Sequence, residues 1–197
     1  MIPRITIAYS HFLDPIFLKA YLVDHPEHAP LTNDELMAYI GHVCANWKKE
    51  EEVIVNGMRE ALGLDFYANA IDVHIVRALR GGFSSPLVLS ALIPKEVFTD
   101  ALTHELIHIL ITESTQALDI REIFSRLYNV PERLVRNHIL VHATHEYVYK
   151  DILRSPERYD ADIAKSVRNP AYKQAWDIVT ERGYKNILAE FRKEYAG

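Results

Sequence analysis

The chain has 197 residues, of which 49% are hydrophobic and 25% are charged, so it can bury the core of one domain. This composition excludes an intrinsically disordered chain, and the single cysteine, Cys44, excludes an intrachain disulfide. The net charge of −5 argues against a nucleic-acid partner. No apolar run approaches the roughly 20 residues of a membrane span, and the N-terminal residues lack a signal-peptide pattern. We therefore expect a soluble, cytoplasmic protein with no membrane partner.

The first part of the chain predicts one strand followed by helices. Alternating apolar residues predict a short strand over Arg4–Ser10. Asp14-Pro15 then opens a helix, because proline is favoured at the first helical position. The capping-box pattern Thr32–Glu35 (TNDE) predicts a long helix that ends near Gly63. Gly57 and the β-branched run before it weaken the middle of this segment, which is also compatible with two helices.

The rest of the chain predicts two further strands and then only helices. Ile71–Ala78 and Pro86–Leu92 are apolar, extended segments separated by glycines and serines, which are typical of turns. Pro94 starts a helix that runs to about Thr112, and later helices are expected at about residues 120–127, 131–153, 171–182 and 184–195. This order predicts an α+β, mostly helical fold with a small sheet of about three strands. We expect a single domain over residues 1–197, in which residues 156–197 could form an appendage.

The segment His104-Glu105-Leu106-Ile107-His108 is an HExxH motif on the helix that Pro94 starts. Helical residues four apart point the same way, so the imidazoles of His104 and His108 can bind one Zn²⁺ ion. Glu105 lies about 100° around the helix from His104, where its carboxylate can reach a metal-bound water without ligating the metal. The pattern therefore predicts two metal ligands and a general base. The alternative is a pair of hydrogen-bonded histidines inside an ordinary buried helix.

This stretch resembles the active-site helix of the zincin metallopeptidases, in which a small sheet precedes the helix and an edge strand binds extended substrate. The resemblance covers about residues 70–150 and implies that Pro86–Leu92 corresponds to that edge strand. The chain departs from the metzincin branch, whose longer motif has glycine and histidine three and six residues after the second ligand. Ile111 and Ser114 stand at those positions. The resemblance implies a small zincin of the gluzincin or SprT-like type.

A second group of histidines lies on the predicted helix downstream. Helical geometry places His138, His145, Glu146 and Tyr149 within about 60° of His142. A catalytic zinc site needs three protein ligands and one position for water, so this face is expected to supply the third ligand. The alternative is a solvated, histidine-rich helix face.

The resemblance leaves the third ligand open. Gluzincins carry a glutamate on such a helix with an aspartate four residues later; Glu146 would serve, although Lys150 stands at the later position. SprT-like zincins use a downstream histidine, which corresponds here to His142, with Glu146 orienting it. We favour His142 over Glu146, with His145 as a third candidate. Tyr149, or a histidine that is not a ligand, could stabilise the oxyanion of a tetrahedral intermediate.

Taken together, these residues predict a zinc-dependent metallopeptidase that hydrolyses peptide bonds in a peptide or protein substrate. The metal would lower the pKa of its bound water, and Glu105 would accept the proton and return it to the leaving amine. The peptide would lie antiparallel to Pro86–Leu92.

Two other functions are compatible with the sequence. One is a zincin-fold binding or regulatory protein with a structural or inactive metal site, which His138, His142 and His145 together could close to water. The other is a regulator that binds DNA through the helix-turn-helix-like residues 116–140, although the net charge of −5 disfavours it.

Overall fold

The computed structural model describes residues 2–114, 120–166 and 168–196. In chain order its elements are β1 (Arg4–Tyr9), α1 (Asp14–Asp24), α2 (Asn33–Leu62), β2 (Ala70–Val76), β3 (Phe83–Ser84), β4 (Leu87–Ser90), α3 (Phe98–Ser114), α4 (Ile120–Leu127), α5 (Arg133–Tyr147), α6 (Pro156–Ser166), α7 (Pro170–Arg182) and α8 (Tyr184–Ala196). A 3-10 turn, Lys95–Val97, precedes α3, and a π-helix, Val148–Ile152, follows α5 directly. The predicted α+β, mostly helical fold is confirmed. Of the helices in the described residues, none combines the length and apolar character that crossing a bilayer requires.

The sheet has four strands in the order β1-β2-β4-β3. β1 and β4 each pair with β2 in parallel, and β3 pairs with β4 in antiparallel fashion. One face is apolar because alternate side chains of the three longer strands point to it and are buried: Ile5, Ile71, Val73, Ile75, Leu87 and Leu89. The sequence predicts about three strands. It does not predict β3, which is only two residues long and lies in a segment with the composition of a turn.

The sheet corrects the expectation that Pro86–Leu92 is an edge strand. β4 pairs with β2 along one side, and Phe83 and Ser84 pair with Val88 and Leu87 on the other. That expectation is therefore wrong for Leu87 and Val88, because the chain turns back before β4 and covers this part of its edge. The strand at this end of the sheet is β3.

α2 is one continuous helix rather than two. The predicted capping box is present: the Thr32 amide donates to Glu35 Oε2 at 2.8 Å, and the Glu35 amide donates to Thr32 Oγ1 at 3.3 Å. The helix ends before Gly63, whose φ of +67° favours glycine. Gly57 does not break the helix, and a Cβ atom there would lie 2.8 Å from Ile152 Cγ1. This glycine therefore allows close packing against the end of the π-helix.

Contacts within the chain define two compact units. The first comprises the residues up to Glu52 together with Phe66–Ile109, and it contains the sheet. The second comprises Val53–Asp65 and the residues from Leu110 onward, in which α5 packs against α7 and α8. The helices beyond residue 156 thus belong to the second unit, and the expectation of a single domain stays a prediction.

Candidate metal centre

α3 holds the two histidines of the HExxH motif in a fixed orientation. One side of the helix is anchored by buried apolar side chains, namely Phe98, Leu102, Leu106 and Ile109. His104 and His108 are half-buried, and their rings meet edge-on, with centroids 4.9 Å apart and planes inclined by 66°. Their Nε2 atoms are 3.2 Å apart, as expected for residues one helical turn apart with the same side-chain direction.

This separation fits the donor geometry of a metal ion. Two imidazole nitrogens bound to a tetrahedral zinc ion at about 2.0–2.1 Å each lie about 3.3 Å from one another. The observed Nε2–Nε2 distance between His104 and His108 is 3.2 Å. The pair could therefore supply two ligands without rearrangement. Both rings are half-buried, and the same distance is that of a hydrogen bond between them, so it also fits the alternative of a hydrogen-bonded pair.

The carboxylate of Glu105 lies against the backbone of Gly82, which precedes β3. A Cβ atom on Gly82 would be 2.7 Å from Glu105 Oε1 and 3.1 Å from Leu89 Cδ2, so a side chain at this position would displace the carboxylate. Burial raises the pKa of the Glu105 carboxyl to about 7. The group is therefore able both to accept and to donate a proton near neutral pH.

The histidine-rich face of α5 is buried. His138, His142, His145 and Glu146 are each at most 5% exposed. α7 packs on α5, and the indole of Trp176 stacks on the His142 ring with centroids 4.3 Å apart and planes inclined by 11°. The alternative of a solvated helix face is therefore wrong.

His138 is held in a form suited to ligation. The carbonyl of Leu134 lies 2.8 Å from His138 Nδ1 and accepts its hydrogen, which leaves the lone pair on Nε2. Burial lowers the pKa of His138, outweighing the hydrogen bond to Leu134 that raises it, so the neutral form is favoured.

The two residues favoured as third ligand have other neighbours. Glu146 Oε1 accepts a hydrogen bond from Lys150 Nζ at 2.7 Å. Burial raises the pKa of Glu146, although the ammonium group of Lys150 acts in the opposite direction. The His142 ring is stacked on Trp176. Ligation by His142 or Glu146 stays a prediction.

His145 and Tyr149 form a second cluster. His145 Nδ1 lies 3.3 Å from Asp162 Oδ2 and 3.4 Å from the Tyr149 hydroxyl, and both aromatic side chains are buried. Asp162, on α6, therefore orients the His145 ring. The expected role of Tyr149 in stabilising an oxyanion stays a prediction.

No family model, curated protein or solved structure matches the chain. The likeness to zincins, which rests on the HExxH motif and the strands that precede it, stays a prediction. The function must therefore be inferred from the geometry of these side chains.

Two features of these side chains are not predicted by the sequence. His138 lies on the predicted face of α5, but helical spacing alone does not distinguish it from the other histidines as a ligand. A signal that could have favoured it is the backbone carbonyl of Leu134, one turn earlier, which accepts a hydrogen bond from Nδ1 and so fixes the tautomer. At Gly82 the sequence indicates only a turn. No sequence signal connects this glycine to Glu105, because the two meet through tertiary packing.

Proposed function

We propose that the protein is a zinc-dependent metallopeptidase. The observation that carries this proposal is the 3.2 Å separation of His104 Nε2 and His108 Nε2, with Glu105 between them in sequence. His104, His108 and His138 would hold the ion, since three imidazoles are a ligand set of catalytic zinc sites. The hydrogen bond from His138 Nδ1 to Leu134 supports this assignment, because ligating histidines commonly donate their other ring hydrogen to a carbonyl.

The chain's own residues account for the proton transfers of peptide hydrolysis. Bound zinc supplies Lewis-acid polarisation and lowers the pKa of water. Glu105 accepts a proton from the attacking water while the new carbon–oxygen bond forms. The same carboxyl then donates that proton to the amine as the carbon–nitrogen bond breaks. The absence of a side chain at Gly82 leaves the space that Glu105 Oε1 occupies.

The proposal is tested by zinc content and peptide hydrolysis in the same samples. Wild type and Glu105→Gln should each contain about one zinc per chain by elemental analysis, and only wild type should cleave peptides. His104→Ala, His108→Ala and His138→Ala should lose zinc. His42→Ala removes an exposed imidazole on α2 and should retain both properties.

Two results would overturn the assignment. One is a wild-type protein that takes up no zinc after incubation with the metal. The other is Glu105→Gln hydrolysing peptides at the wild-type rate. If His142→Ala loses zinc and His138→Ala keeps it, the third ligand is His142 rather than His138, and the proposed function stands.

The alternative functions have less support. A closed structural site needs four protein ligands. His142 is instead stacked on Trp176, and His145 contacts Asp162 and Tyr149. The DNA-binding alternative uses residues 116–140, of which 116–119 lie outside the described residues. Within α4, the guanidinium of Arg126 is paired with both Glu122 and Glu194, which offsets its charge.

A further inference from the structure

Phe83 presents an aromatic ring at one end of the sheet, next to the residue that contacts Glu105. β3 is the last strand in the order β1-β2-β4-β3, so no described strand pairs with its outer edge. Phe83 is 46% exposed, and its ring centroid lies 5.7 Å from that of Phe17 on α1. An exposed aromatic side chain beside an open strand edge is a feature of peptide-binding surfaces.

The two faces of β3 carry different chemistry. Phe83 is opposite Val88 in the antiparallel pair, and directly opposed residues place their side chains on the same face. Gly82 faces the other way, toward Leu89 and the Glu105 carboxylate. The aromatic ring and the carboxylate therefore lie on opposite faces of the strand, one residue apart in sequence.

A peptide that adds to the edge of β3 in an extended conformation would meet both faces. Its side chains alternate between the two faces, so the residue that lies over Glu105 has a neighbour whose side chain lies over Phe83. We propose that Phe83 and Phe17 bind a large apolar side chain of the substrate, in the residue adjacent to the scissile bond. This inference rests on the proposed peptidase function and adds its substrate class: peptides with phenylalanine, leucine or methionine at that position.

The neighbouring surface agrees with an apolar occupant. The Phe17 side chain on α1 is itself only partly buried, so its ring adds apolar surface beside Phe83. Covering the ring of Phe83 removes aromatic area from water, and a charged or small side chain would gain little from that contact. The selectivity should therefore depend on the size and hydrophobicity of one substrate residue.

The experiment uses the zinc-loaded full chain and a peptide mixture whose cleavage sites are mapped by mass spectrometry. Two synthetic peptides are then compared that differ only by phenylalanine or alanine at the selected position. We expect kcat/KM to favour the phenylalanine peptide about 10-fold or more, mainly through a lower KM. Phe83→Ala should reduce this preference to about 2-fold or less. Phe83→Leu, which keeps an apolar side chain, should retain most of it.

The control and the contrary outcomes separate the two proposals. Tyr67→Ala removes another exposed aromatic side chain, 70% exposed, and should keep the wild-type preference. Cleavage without an apolar preference, or a preference unchanged in Phe83→Ala, would overturn this inference and leave the peptidase function standing. A zinc-loaded chain that cleaves no peptide in the mixture would overturn the peptidase function and this inference with it.

Discussion

Gly82→Ala offers a direct test of how Glu105 is positioned. The new Cβ atom would lie 2.7 Å from Glu105 Oε1, whereas ordinary contact begins at 3.4 Å, so the carboxylate must move by about 0.7 Å. The same Cβ atom would lie 3.1 Å from Leu89 Cδ2, so this side chain must also shift by a few tenths of an ångström. A displacement approaching 1 Å from the reacting position can cost up to about 100-fold in rate. We therefore expect kcat to fall about 10- to 100-fold.

The assay is steady-state kinetics on one peptide, with zinc content measured on the same preparation. KM should change little, because Glu105 acts in the proton transfers rather than in substrate binding. Gly41→Ala is the matched control: a Cβ atom there meets nothing within 4 Å, so kcat should stay at the wild-type value. A Gly82→Ala enzyme with the wild-type kcat would refute the positioning role of Gly82. So would a loss of activity that is fully explained by lost zinc.

Three further predictions concern stability. Gly57→Ala brings a Cβ atom to 2.8 Å from Ile152 Cγ1, so overpacking should lower the free energy of unfolding by about 1–3 kcal/mol in urea titration; an unchanged midpoint would contradict this. Thr32→Ala removes the hydroxyl of the capping box and should lower the free energy of unfolding by about 1 kcal/mol in the same titration. Substituting Glu35 as well should lower it by less than the sum of the two single effects, because the two side chains are hydrogen-bonded to each other. Burial acts to raise the pKa of Asp151, but hydrogen bonds from Tyr184 and Lys185 together hold it below its usual value. The stability from this carboxylate is present above about pH 3.8 and is lost as the pH falls through the lower folded value. In Tyr184→Phe the free energy of unfolding should therefore fall less steeply as the pH is lowered. The same pH profile in wild type and variant would show that this hydrogen bond does not lower the pKa of Asp151.

Elements that depend on local signals are predictable from sequence. The capping box at Thr32 and Glu35 determines the start of α2, and Gly63 determines its end. The shared direction of His104 and His108 follows from helical spacing alone. In each case the deciding interactions lie within about four residues of one another, so no knowledge of the tertiary structure is needed.

Elements that depend on distant partners are not predictable in this way. β3 has two residues, too few for alternation to be recognised, and it exists because the chain turns back onto β4. On α5, helical phase places His138 and His142 on one face but does not say what packs there. Trp176 stacks on His142, a contact between helices more than thirty residues apart. In the sequence Gly57 looks like a helix breaker. Its packing role is not visible there, because the residue that it accommodates, Ile152, is distant along the chain.

The π-helix Val148–Ile152 has a consequence for how this region can change in evolution. A π turn contains about one residue more than an α turn, and such turns are commonly regarded as single-residue insertions into an α-helix. Deleting one residue there would restore a regular helix but rotate the downstream residues by about 100° and shift them by about 1.5 Å. Ile152 would leave its place against Gly57, and Asp151 would separate from Tyr184. This segment should therefore reject gaps, and relatives of the chain should align across it without a deletion.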